Sequence, residues 1–231
     1  MIETTEFADI PTTTLADLLG RDQVMDIGIR PLWGPGPGPG PGPGPEPVPV
    51  PVPVSVPVSV PRVAGPAFTV RCPPGDNLML HAAIYRAPAG SVIVVESGDL
   101  DHALAGGNVC AVAQRRGVAG FVLDGLIRDL AEVREARFPV FARGVIPIPG
   151  TKKAVTPLGG SVRCGGVRVE AGDVVVADEE GVVAVPAARR ADVLAAARAK
   201  LAKEAAETLD DWEAAHRARI DEILAQGGFE G

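Results

Sequence analysis

Arg128 and Asp129 stand side by side at the end of a stretch, GGNVCAVAQRRGVAGFVLDGLIRD over 106–129, that opens on the glycine pair Gly106 and Gly107. Its spacing reads as a glycine turn, an amphipathic helix to about Arg116, a strand from Val118 to Leu123, and a second glycine turn at Asp124 and Gly125. If both turns lie at one end, the leading N–H groups of Gly107, Asn108 and Val109 face the Arg128 guanidinium. Unpaired amides, the positive end of a helix and an arginine fork all suit a carboxylate. Asp129 is the opposite kind of group, and beside an anion it calls for a cation. Mg²⁺ typically takes one or two protein carboxylates and completes its shell with substrate oxygens and water. The chemistry implied is that of an oxyacid and a divalent metal. The same residues also fit a blander description, a surface ion pair after an ordinary turn.

The elements that must position these residues lie on both sides. Residues 12–19, TTTLADLL, form a short helix with a threonine able to cap it, Asp17 as a faint capping-box partner and Gly20 to stop it. RVAGPAFTVRC is a strand ended by Pro73, Pro74 and Gly75, after which Asp76 or Asn77 can cap a helix over LMLHAAIYRA. SVIVVES has the length and β-branched content of a buried strand. The loop GDLDHALAG then leads into the 106–129 stretch. Three strand and helix units in succession predict a parallel or mixed sheet covered by helices. From Phe138 the pattern turns to short strands, with Asp173, Asp178, Glu179 and Glu180 read as turn acids, solvated or reaching a neighbouring subunit's metal. The alanine-rich tail to about Gln226 repeats Leu194, Ala197, Leu201, Ala205, Leu209 and Trp212 at helical spacing, one or two long helices packed on the body or on a partner subunit.

Residues 34–61 alternate Gly-Pro and then Val-Pro or Val-Ser and hold more than half of the chain's 23 prolines. Proline at every second position removes half the backbone donors, so the segment reads as a solvated polyproline II excursion. A surface-loop expansion without a role in the chemistry is the reading, and binding by a proline-recognising partner the alternative. The division expected is 1–33 with 62–187 as one domain, 34–61 as a low-complexity insertion and 188–231 as a helical extension.

Composition excludes other classes. A net charge of −7 over 231 residues argues against a nucleic-acid partner, which needs a basic face. Cys72, Cys110 and Cys164 are odd in number with no CxxC, so neither a disulfide framework nor a zinc site is read. His81, His102 and His216 lack metal-protease spacing and read as structural or exposed. No signal peptide and no membrane-length apolar run is seen, so a cytoplasmic protein that does not engage a membrane is expected. A serine-centred nucleophile elbow is absent as well, which leaves a hydrolase little support.

Four segments, RVAGPAFTVRCPPGDNLMLHAAI, the 106–129 stretch, FPVFARG and AGDVVVADEEGVVAVP, together resemble the RraA-like family of 4-hydroxy-4-methyl-2-oxoglutarate aldolases and regulators of ribonuclease E activity. The resemblance implies an α/β fold, a swivelling β/β/α domain, here with a C-terminal helical extension, assembled as a homotrimer or a pair of trimers. It implies that Gly106, Gly107, Asn108, Val109 and Arg128 bind the carboxylate of a small 2-oxo acid, that Arg128 and Asp129 are catalytic, and that Asp129 serves Mg²⁺ or Mn²⁺. The activity implied is aldol cleavage to pyruvate, with oxaloacetate decarboxylation on the same electron sink; the alternative is a non-catalytic, protein-binding regulator of ribonuclease E type. One departure is visible: aldolase members often carry an acid where this chain has Gly107, which removes part of the polar network around the metal. Asp129, which regulator-type members can lack, is present.

Overall fold

A computed structural model describes residues 4–32 and 62–229, and the polyproline II expectation for 34–61 lies outside the described residues. In chain order the elements are α1 (Thr12–Leu19), β1 (Arg30–Pro31), β2 (Val63–Arg71), α2 (Leu78–Ala83), β3 (Val92–Glu96), β4 (Ala103–Ala105) and α3 (Gly107–Arg115). Then come β5 (Gly120–Ile127), α4 (Leu130–Glu135), β6 (Val140–Val145), β7 (Val162–Cys164), β8 (Val167–Val169), β9 (Val174–Asp178), β10 (Gly181–Val185), α5 (Arg190–Ala206) and α6 (Leu209–Gln226).

The fold is α/β, as expected. Its main sheet runs β1-β6-β5-β3-β2-β9-β10, with β4 on β5. The pairs β2/β3, β3/β5, β4/β5 and β5/β6 are parallel, while β1/β6, β2/β9 and β9/β10 are antiparallel. Side chains alternate across the strands. Ile93, Val95, Phe121 and Leu123 face a core closed by α2, α3 and α4, where Phe121 meets Phe138 edge to face at 4.8 Å. Val92, Val94 and Val122 face the opposite way, against the β7/β8 hairpin. A third cluster joins α1 and α5 to β9 and β10. Burial on both faces explains the unbroken Val and Ile runs of β3 and β9.

Several local expectations give way to tertiary contacts. Asp124 and Gly125 form no turn: β5 runs through them to Ile127 with an irregularity between Leu123 and Leu126. The Asp124 carboxylate takes a hydrogen bond from Gly165 N and pairs with Arg143, so long-range partners hold extended a dipeptide that would otherwise turn. Pro11 rather than a threonine precedes α1, and Thr12 instead donates through N and Oγ1 to buried Asp178 at 3.0 and 2.6 Å. Asp17 pairs with Lys200 instead of closing a capping box, whereas Gly20 at φ 81° ends α1 as expected. Asp173 and Asp178 are buried acceptors, Asp173 taking Glu170 N and Ala187 N, while Glu179 and Glu180 are exposed. The tail divides: α5 buries Val193, Leu194 and Ala197, and α6 buries nothing. All three thiols are buried, and burial raises the pKa of Cys72 to about 11 and of Cys110 to about 12. Among the described residues no helix is long and apolar enough to cross a membrane.

Candidate functional site

A three-residue strand brings the two ends of the 106–129 stretch together. β4 lies parallel to β5 with Ala105 opposite Ile127, so Gly106 and Arg128 leave the sheet side by side, and Arg128 N donates to Ala105 O at 2.9 Å. Loops beyond the carboxyl ends of parallel strands are where α/β proteins place their ligands. The first acceptor of α3 is Gly106 O, which takes Cys110 N–H. The amides of Gly107, Asn108 and Val109 therefore lie ahead of the helical ladder and can serve an anion. One of them has a partner already: Gly107 N donates to Asp129 Oδ2 at 3.1 Å, and Arg128 Nε stands 3.5 Å from the same oxygen.

Asp129 is held in an uncommon conformation. At φ 56° and ψ 41° it is left-handed, directly before α4, whose Val133 N donates back to Asp129 O at 3.1 Å. Aspartate is among the few residues that tolerate this region. The glycine pair leaves room for it: a Cβ on Gly106 would come within 2.4 Å of Asp129 Oδ2, and one on Gly107 within 1.9 Å of Glu132 Oε2.

These groups border a recess of about 70 Å³ whose other wall holds Asn77, His81, Pro149 and Lys152. No pattern in the sequence assigns these four to the site. By sequence His81 reads as structural or exposed, and Asp76 or Asn77 as the cap of α2. Asn77 does occupy the position before α2, but its side chain makes no cap bond. It is 3% exposed, donates through Nδ2 to Ala103 O at 3.1 Å, and among the described residues its Oδ1 has no partner. Burial lowers the His81 pKa, and the cations Lys152 and Arg128 lower it further, so the imidazole is neutral near pH 7. A buried acceptor without a donor beside a carboxylate is a set of hard oxygens, which fits Mg²⁺ or Mn²⁺.

Lys152 is positioned by Asp76. The Asp76 carboxylate accepts from Leu78 N at 2.9 Å, Thr151 Oγ1 at 2.9 Å, Lys153 N at 2.6 Å and Ala154 N at 3.3 Å, tying the 151–154 loop to the start of α2. Burial raises its pKa, but these bonds more than offset that and hold it below the ordinary carboxylate value. Asp76→Ala is expected to destabilise the fold by about 2–4 kcal/mol, since several backbone donors lose their acceptor. A folded pKa below the unfolded one means that this contribution is present above about pH 4 and fades as pH falls through the folded value. Urea unfolding of both forms at pH 7 and pH 3 checks this; a difference that stays constant with pH refutes it.

A larger recess, about 820 Å³, opens on the other face of the sheet among Arg21, Arg143, Arg163 and Arg168. Its arginines are engaged, Arg143 by Asp26 and Asp124, Arg168 by Glu170, Arg163 by Gly166 O and Arg21 by Val24 O. The small recess combines unladdered amides, a guanidinium, a carboxylate and an acceptor without a partner among the described residues.

Known proteins carry the same architecture. A protein of Halalkalibacterium halodurans named "Putative 4-hydroxy-4-methyl-2-oxoglutarate aldolase" is 33% identical over 96% of this chain and 90% of its own length. One of the same name from Burkholderia multivorans is 37% identical over 53% of this chain and 74% of its own. Among solved structures, an uncharacterized protein of Pseudomonas syringae superposes with a TM-score of 0.68 at 28% identity, covering 87% of this chain and 84% of that one. The RNA-processing inhibitor RraA from Thermus thermophilis does so with a TM-score of 0.60 at 26% identity, covering 77% and 93%. The family described as RraA-like, Aldolase/RraA, matches over residues 51–184, more than half of the sequence, and the chain belongs to it.

Proposed function

We propose that this protein is a divalent-metal-dependent aldolase that cleaves a 4-hydroxy-2-oxo dicarboxylate, of 4-hydroxy-4-methyl-2-oxoglutarate type, to pyruvate, and decarboxylates oxaloacetate as a side reaction. The observation that carries the reading is the meeting of Arg128, Asp129 and the leading amides of α3 at one recess. The names of the relatives agree with it.

In this reading Arg128 and the amides of Asn108 and Val109 hold the substrate's C1 carboxylate and fix its plane. Asp129 would hold the metal, and Mg²⁺ or Mn²⁺ there would supply Lewis acidity to the 2-oxo oxygen of the substrate. The C3–C4 bond breaks with its electron pair kept by the three-carbon fragment, the C4 hydroxyl gives its proton to a water acting as base and becomes a carbonyl, and the enolate takes a proton at C3 from water to give pyruvate. Asn77 Oδ1 can accept a hydrogen bond from that hydroxyl and orient it, without taking its proton. Lys152 offers a second cation for the distal carboxylate, and neutral His81 adds no charge of its own. Loss of CO₂ from oxaloacetate leaves the same enolate, so one site serves both reactions.

The test is pyruvate release from 4-hydroxy-4-methyl-2-oxoglutarate and from oxaloacetate, with Mg²⁺ and then with a chelator. Release that the chelator abolishes is expected. The rival is a non-catalytic protein-binding regulator, and the name of the Thermus neighbour speaks for it. No release from either compound, together with a stable complex with a ribonuclease of E type, would replace the enzymatic reading.

The proposed working form is a homotrimer or a pair of trimers. α6 exposes Leu209, Trp212, Ile220 and Ile223, and an 18-residue helix without a packed face is marginal in water. A second copy of the chain is the proposed cover, and it would also enlarge a recess of about 70 Å³ that is small for a six-carbon dicarboxylate. Light scattering is expected to give a trimeric or hexameric mass for the full chain and a smaller one when 207–231 is removed. A monomer in the full chain refutes the assignment.

A further inference from the structure

Resting on the aldolase reading above, we infer that His81 is the proton relay of aldol cleavage: the base water passes the C4 hydroxyl's proton to it, and it returns that proton, through water, to C3. Cleavage needs a place for that proton, and the recess offers few. Glycine at 107 brings no acid from the loop. Among the described residues that border the recess, Arg128 and Lys152 are donors without a lone pair, and the amides of Asn77 and Asn108 do not take protons. Asp129 is engaged by Gly107 N and Arg128, and is proposed to hold the metal. Of the side chains described at the recess, that leaves His81 to accept a proton and release it near neutral pH.

Its setting suits the task. His81 lies one helical turn beyond Asn77, whose Oδ1, on a residue 3% exposed, has no partner among the described residues. That oxygen orients the C4 hydroxyl in the mechanism above, and the imidazole borders the same recess. The Leu104 carbonyl takes a hydrogen bond from the ring, which makes one nitrogen the donor of the neutral imidazole and leaves the other its lone pair. Three charged groups bear on the ring, Lys152, Arg128 and Asp76. Burial first, and then the two cations, disfavour the imidazolium, so a proton taken up is readily given back. In cleavage the C4 O–H bond breaks toward water as water gives a proton to the free nitrogen, and the C3–C4 electron pair passes to the enolate. The imidazolium then returns its proton through water, a C3–H bond forms from the enolate's pair, and His81 is neutral again. Oxaloacetate differs at one step. CO₂ leaves without an O–H bond breaking, so no proton is handed to His81 and the enolate is protonated from water.

That difference is the test. Full-length wild type, His81→Gln and His81→Ala are assayed with Mg²⁺ for pyruvate release from 4-hydroxy-4-methyl-2-oxoglutarate and from oxaloacetate, with the metal-only decarboxylation rate subtracted. Glutamine keeps a donor for the Leu104 carbonyl and cannot relay a proton. In both variants cleavage of the hydroxy acid is expected to fall by about 10²-fold or more, and decarboxylation by about threefold or less. Both reactions use one site, so the ratio of their rates does not depend on how much of a variant folds, and a less stable variant still reports. A ratio equal to that of wild type, whether both rates fall or neither does, overturns the relay and leaves the aldolase reading standing. Wild type that releases no pyruvate from the hydroxy acid overturns both.

Discussion

Arg128→Ala is expected to lower kcat/KM for metal-dependent pyruvate release by about 10³-fold while leaving the fold intact. In the proposed function the guanidinium is the fork for the substrate's carboxylate, and it stands 3.5 Å from Asp129 at the recess. Its removal takes away positioning and charge together. Loss of a single donor to a developing oxyanion costs about 10²–10³ in turnover, and a bidentate cation does more than one donor. The Arg128 side chain is 43% exposed, so truncation should change stability by only about 0.5 kcal/mol. Arg128→Lys separates the two contributions, because an ammonium keeps the charge and loses the fork. An intermediate loss of about 10–100-fold is expected there. Steady-state rates from a dehydrogenase-coupled pyruvate assay decide the matter, with melting curves as the control for folding. Wild-type turnover in Arg128→Ala would remove Arg128 from the site and the carboxylate pocket with it.

The parts of this site that sequence makes legible are those carried by local pattern. Strand and helix periodicity orders β2, α2, β3, α3 and β5, and the pairing of glycine turn with Arg128 and Asp129 follows from their place at the ends of those elements. What pattern misses is carried by contacts across the chain. β4 is only three residues long, too short for alternation to register, and yet it sets Gly106 beside Arg128. Asp124 and Gly125 carry a turn signature that Arg143 and Gly165 overrule. Asn77 and Lys152 reach the recess from different loops, joined through the Asp76 clamp, and no spacing between them encodes it. Glycine at 107 reads from sequence as a missing acid, and what fills the space beside it is not legible there. In three dimensions a carboxylate stands over that glycine, contributed by Glu132 from the next element. Acids read as solvated behave likewise: Asp178 is a buried anchor for α1, and nothing near it in sequence says so.

Asp129→Asn is expected to separate the chemistry from the fold more sharply than any other single change. The left-handed backbone at φ 56° is one that asparagine tolerates as readily as aspartate, and an amide oxygen can still accept from Gly107 N. Alanine would add strain of about 1–2 kcal/mol at such a position and blur the result. With asparagine, stability should stay within about 1 kcal/mol of wild type. Metal-dependent pyruvate release should nevertheless fall by about 10²–10³-fold if Asp129 holds the metal as proposed, because a neutral amide oxygen binds Mg²⁺ more weakly than a carboxylate does. Raising Mg²⁺ should restore part of the rate if weakened metal binding is the cause, and a flat response would mean that Asp129 acts on the substrate instead. The same backbone also yields a control, since glycine relieves the left-handed strain and removes the carboxylate. Asp129→Gly should therefore melt no lower than Asp129→Asn and be at least as inactive. Asparagine and glycine both tolerate this backbone, and aspartate at the start of α4 also accepts from Gly107 N, so loss of activity and of the metal response, not of stability, is what separates the carboxylate's chemistry from its structural place.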